Sequence, residues 1–144
     1  MSGHAFQVLV TDAAILEHLR ATAAALVPGG SFAFETRNRD ARLWERWTPE
    51  NPWEFEVDGV DASYVANVRG TIEQGVVTFD SEYHRTDSSE PLSSTSSLRF
   101  LSAAELDVLL ASAGLHVTER CGDWDRSALT ESSPEIITIA KRSN

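Results

Sequence analysis

The sequence predicts an α/β domain, α+β in its detail, and three observations carry that assignment. Apolar residues recur at helical spacing up to a Pro28-Gly29-Gly30 stop, and an apolar run of strand length follows at residues 31 to 36. The middle of the chain alternates with a period of two, and a second helix signal near residue 102 leads into two more apolar strands. Helix and strand therefore alternate at both ends while the centre is all strand, as expected of a crossover unit carrying an inserted antiparallel meander. The 144 residues, 42% hydrophobic and 24% charged, suit a single domain over 1–144 with a core of its own.

The first helix rests on Leu16, Leu19, Ala23 and Leu26, with Ala21, Ala24 and Ala25 filling the spaces. Thr11 or Asp12 caps it, because an oxygen there accepts from an otherwise unpaired N–H of the first turn. The Gly-Gly turn passes the chain to the strand at 31 to 36, whose aromatics suit a pleated, buried surface. A short helix is expected over 39 to 47, with Leu43, Trp44 and Trp47 on one side and Arg42, Glu45 and Arg46 on the other. From residue 53, Trp53, Phe55 and Val57 alternate with Glu54, Glu56 and Asp58, and Gly59 closes the run. Strands at 64 to 69 and 76 to 85 continue the meander, with Gly70 and Gly75 as turn residues. A polar loop at 87 to 91 precedes a strand at 94 to 100. Ser102-Ala103-Ala104-Glu105 forms a capping box that starts a helix over 103 to 113, making about three helices in all. Gly114 suits its left-handed end. Strands at 115 to 121 and 135 to 141 finish the chain, with a loop from 122 to 133 between them.

Composition narrows the partners. Twelve basic residues against 22 acidic ones leave a net charge of −10 with no segregated basic face, which speaks against nucleic acid. No apolar run approaches the ~20 residues of a membrane span, and the first residues lack the basic start of a secretory signal. The lone Cys121 points to a reducing, cytoplasmic setting, and at a strand end it reads as buried and inert. His84 and His116 have no ligand at metal spacing, and Asp123, Asp125, Glu131 and Glu135 are too irregular for a calcium loop. Among the aromatics, Trp44 and Trp53 read as core. Trp47 and Trp124, in loop positions, stand between core and the wall of a pocket for a small molecule.

The order of these features resembles the C-terminal half of class I S-adenosylmethionine-dependent methyltransferases of the small-molecule, bacterial kind. Gly3-His4-Ala5-Phe6-Gln7 is similar to the segment after that family's fourth strand, and residues 26 to 38, with Leu26-Val27-Pro28-Gly29-Gly30, to its turn and fifth strand. Leu98-Arg99-Phe100-Leu101-Ser102, Ala113-Gly114-Leu115, Gly122-Asp123-Trp124-Asp125 and Ser133-Pro134-Glu135-Ile136-Ile137 continue the series through nearly the whole chain. The resemblance implies a partial Rossmann-like sheet, S-adenosylmethionine as cofactor, and methylation of a small molecule. The candidates for a substrate pocket are His4, Phe6, Glu35, Arg37, Trp47 and Trp124; the resemblance places His4 near the methyl-transfer site as a general base or a substrate contact, while the plainer reading, a terminal histidine with no role, is favoured without the cofactor half. Glu35 and Arg37 enter that set because they end a strand at the carboxyl edge of the sheet, where α/β folds place ligands.

The departure from the family is as informative as the match. No Gly-x-Gly-x-Gly follows a strand and opens a helix, so the donor-binding motifs are missing and the chain alone is expected to be inactive. In the parent architecture the strand at 31 to 36 lies beside a fourth strand that has no counterpart here. Its free edge is a pairing template. A second copy or a companion chain is expected to cover that edge, or else residues 5 to 10 refold as a strand in the vacant position. The competing reading is a noncatalytic module that dimerises or binds a small ligand. A cone-shaped α+β ligand-binding fold is a weaker third, because the helix at 103 to 113 and its two following strands suit it poorly.

Overall fold

The computed structural model describes residues 1–142, which divide into two compact units: Met1–Arg42 with the chain from Leu98 onward, and Leu43–Ser97. In the first unit, α1 (Asp12–Ala25) leads to β1 (Ser31–Arg37), and α2 (Ala103–Ser112) leads to β6 (Leu115–Cys121) and β7 (Glu135–Arg142). Its sheet has the order β1-β7-β6, with antiparallel pairing throughout. Side chains alternate across a strand, so the register Phe34↔Thr138 and Thr36↔Ile136 places Phe34, Thr36, Ile136, Thr138 and Ala140 on one face. There they are buried with Ile15, Leu19 and Ala23 of α1 and Leu106, Leu109 and Leu110 of α2. Glu35 and Arg37 consequently emerge on the other face, with Glu135 directly opposite Arg37.

Both helices start as the sequence indicates. Thr11 Oγ1 accepts from the Ala14 N–H at 3.2 Å. At α2 the Ser102 hydroxyl accepts from the Glu105 N–H, and the Glu105 carboxylate accepts from the Ser102 N–H at 2.8 Å. Arg39 adds an ion pair, and Glu105 ionises more readily than an ordinary glutamate: burial opposes its charge, but the Ser102 N–H and the Arg39 guanidinium outweigh it. Replacing Ser102 with Ala is expected to cost about 1 kcal/mol, read as a lower urea midpoint with an unchanged slope.

The second unit holds the meander: β2 (Trp53–Val57), β3 (Val60–Glu73), β4 (Val76–Arg85) and β5 (Leu92–Arg99, whose last two residues belong to the first unit), in the order β2-β3-β4-β5. Tight turns join the first three strands, with positive φ at Asp58 and Gly59 and again at Gln74 and Gly75, the backbone that matches strand twist in a two-residue hairpin loop. Gly70 is not a turn. β3 runs through it to Glu73 and takes up the irregularity as a shift in register between Arg69 and Glu73. Ala62, Ala66, Val77, Phe79 and Ser81 are buried on one face, and Trp47 meets the Phe79 ring edge-on at 4.8 Å.

Three local expectations require correction. The helix over 39 to 47 is a 3-10 turn at Leu43–Arg46, because Arg42 has φ of 49°, which no right-handed helix contains. Residues 5 to 10 do not form a strand: Ala5–Val8 is a 3-10 turn that buries Phe6 and Gln7. Among the described residues the regular helices are thus two, not three. Trp53 is not core; it stands on the outermost strand of its sheet, 44% exposed, with Tyr64 as ring neighbour at 5.8 Å. Trp44 is buried as expected, as is Cys121, whose thiol is pushed to a higher pKa by loss of solvation and the neighbouring Glu119.

Candidate functional site

Four groups of the first unit converge at the carboxyl end of β1. Gly3 and His4 both have positive φ, 68° and 58°, which turns two successive backbone N–H groups toward one point, the geometry of an anion nest. Here the anion is internal. Glu35 Oε1 accepts from the Gly3 N–H and, at 3.1 Å, from the His4 N–H. The other oxygen of the same carboxylate accepts from the indole N–H of Trp124. Glu35 is 8% exposed, and burial is the strongest single influence on it, opposing ionisation. The Trp124, His4 and Gly3 donors together with the His4 ring outweigh it and hold the carboxyl below its ordinary pKa.

The imidazole of His4 faces the first residue of β7. Its Nε2 lies 2.9 Å and 3.0 Å from the two oxygens of Glu135. Glu135 is shifted upward: burial leads and the charge of Glu35 adds to it, against the lowering effects of His4 and Arg37. Two buried amides brace the frame. Gln7 donates to the Arg99 carbonyl at 3.0 Å and accepts from the Arg37 N–H at 3.1 Å. Asn38 donates to the carbonyls of Thr130, Glu131 and Ser133, tying the end of β1 to the loop that carries Trp124. Beside Trp124 lies a cleft of about 230 Å³ whose lining includes Ile137 and Ile139, the acidic Glu119 and Asp123, and Arg126, which pairs with Glu119 at 3.4 Å.

Of the residues singled out in the sequence, His4, Glu35 and Trp124 come together, and Arg37 adjoins them through Gln7 and its charge on Glu135. Phe6 is instead a core residue, stacked on Phe34 at 4.5 Å and 1% exposed. Trp47 belongs to the second unit, buried against Phe79. Sequence reasoning missed Glu135, Gln7 and Asn38 as site residues. The signal for Gln7 was present, as the one polar side chain in the apolar run 5 to 10; Glu135 was hidden by a separation of 131 residues from His4.

The residues present do not make a site for S-adenosylmethionine. Among the described residues no glycine-rich turn joins a strand to a helix, and the carboxylates at the strand ends, Glu35 and Glu135, are engaged by Gly3, His4 and Trp124 rather than open to a ribose. Nor do three or more His, Cys, Asp or Glu side chains cluster as metal ligands among the described residues, and no helix there is long and apolar enough to cross a membrane.

No family model matches the chain, and no curated protein matches it. Solved structures do. An S-adenosylmethionine-dependent methyltransferase from Clostridium acetobutylicum ATCC 824 superposes with a TM-score of 0.79 at 12% identity, over 99% of this chain and 56% of its own. The CcbJ methyltransferase from Streptomyces caelestis gives 0.81 at 17% identity, over 99% of this chain and 55% of its own. CalS10, an amino pentose methyltransferase from Micromonospora echinaspora, gives 0.65 at 20% identity, over 97% and 55%. The chain spans about half the length of each. Its fold is that of the C-terminal half of S-adenosylmethionine-dependent methyltransferases.

Proposed function

We propose that this chain is the acceptor-facing part of an S-adenosylmethionine-dependent methyltransferase for small molecules, and that the donor-binding part lies outside these 144 residues. The carrying observation is the superposition on nearly all of this chain and about half of several such enzymes, joined to a polar cluster at the carboxyl end of β1 where ligands of α/β sheets bind. β1 is an edge strand that the first residues partly cover, Met1 on the Ala33 carbonyl and Gln7 on the Arg37 N–H, and the part left open favours a partner. The Met1 amino group donates to the Ala33 carbonyl at that edge at 2.6 Å. A reducing, cytoplasmic setting agrees with the lone cysteine.

Within this reading His4 takes the proton released by the acceptor, and Trp124 with the adjoining cleft receives the acceptor itself. Arg126 offsets Glu119 in that cleft, so the remaining carboxylate of Asp123 and the net charge of −10 favour a cationic amine over an anion. CalS10 acts on an amino pentose by its name, which makes an amino sugar the first acceptor class to try. Proton–nitrogen NMR of the chain titrated with an amino sugar and with its neutral hydroxyl analogue tests this. The amino sugar is expected to shift the Trp124 indole N–H and the residue 119 to 126 amides, and the analogue to leave them in place. Equal shifts from both, or shifts confined to the meander, would contradict it.

A further inference from the structure

We infer that Glu135 is a positioning residue that fixes the proton of His4 on Nε2 and so leaves Nδ1 as the proton-accepting atom of the site. The inference rests on the reading of His4 as the base, but its geometric half stands alone. A neutral imidazole has one N–H and one lone pair. Both oxygens of Glu135 lie within 3.0 Å of Nε2, and an ionised carboxylate can only accept, so the ring presents its N–H there. Nδ1 has no protein partner among the described residues. The backbone holds the ring to this choice: the Glu35 carboxylate takes the N–H groups of Gly3 and His4, which fixes the left-handed conformation from which the side chain reaches β7. Arg37, opposite Glu135 in the register, adds positive charge that favours the ionised form of Glu135, against the burial and the charge of Glu35 that oppose it.

A histidine hydrogen-bonded only by water exchanges its tautomers freely. A bond to a charged acceptor favours one tautomer by roughly tenfold or more. The test is nitrogen NMR of the His4 ring in the full chain at alkaline pH, where the ring is neutral, for the wild type, Glu135→Ala and Glu135→Gln. The expected result is at least about a tenfold preference for Nε2–H in the wild type, collapse toward the ratio of a solvated histidine in Glu135→Ala, and an intermediate ratio in Glu135→Gln, whose oxygen still accepts. A proton on Nδ1 in the wild type, or one ratio shared by all three proteins, overturns the inference. Glu135→Gln keeps the side-chain volume and carries the test if the alanine variant fails to fold. The readout needs neither donor nor acceptor. A failed tautomer assignment therefore leaves the methyltransferase reading intact, and absence of methyl transfer leaves the tautomer assignment intact.

Discussion

Phe34→Ala is expected to destabilise the first unit by about 3–5 kcal/mol, the largest loss from any single truncation considered. Phe34 is fully buried in the middle of β1, stacked on Phe6 at 4.5 Å and on Phe32 at 5.0 Å. Removing the ring takes away its transfer free energy and leaves a cavity that neighbours on two strands and two helices cannot close by moving together. A domain holds about 5–15 kcal/mol in total, so the variant stands near the edge of folding. Urea unfolding followed by circular dichroism measures it. A loss below about 1 kcal/mol would mean that the Phe6–Phe34–Phe32 stack is not the centre of this core.

Glu35→Gln is expected to cost about 2 kcal/mol and to remove part of the acid sensitivity of the protein. Three N–H groups, from Gly3, His4 and Trp124, end on this one carboxylate. An amide offers a single acceptor oxygen and turns its NH₂ against donors. The sign of the pH effect follows from the lowered pKa. A carboxyl that ionises more easily when folded contributes stability above its ordinary value of 4.5, and that contribution is lost as pH falls through the lower, folded value. Wild type should therefore lose stability below about that ordinary value, with the Trp124 indole N–H resonance shifting in the same window, while Glu35→Gln shows a flatter profile and a Trp124 resonance already displaced. Parallel acid profiles for the two proteins would contradict the role given to Glu35.

Much of the fold was legible because its signals are local. The capping box at Ser102, the strand at β6 and the 76 to 85 strand of the meander are each written within a few residues, where propensity and alternation agree with the final packing. The misreadings lie where backbone conformation overrides pattern. Arg42 looks like one more polar position on a helix, yet its positive φ ends any helix there; Gly70 looks like a turn, yet β3 absorbs it as an irregularity. The site was half legible for a different reason. Glu35 could be marked by its place at a strand end, His4 by the family resemblance of residues 3 to 7 and Trp124 as an aromatic in a loop, but Glu135 became a partner of His4 only once β7 had paired with β1. Phe6 shows the converse: a position next to a candidate base carried no sign that its ring would turn into the core.

The most direct test of the account is isothermal titration of the chain with S-adenosylmethionine and S-adenosylhomocysteine, with its mass in solution recorded by light scattering in the same buffer. The donor-binding motifs are missing and the strand-end carboxylates are already engaged, so neither ligand should give measurable heat with a single chain. Micromolar binding by a species of one-chain mass would contradict the account, since a donor site would then exist within these 144 residues.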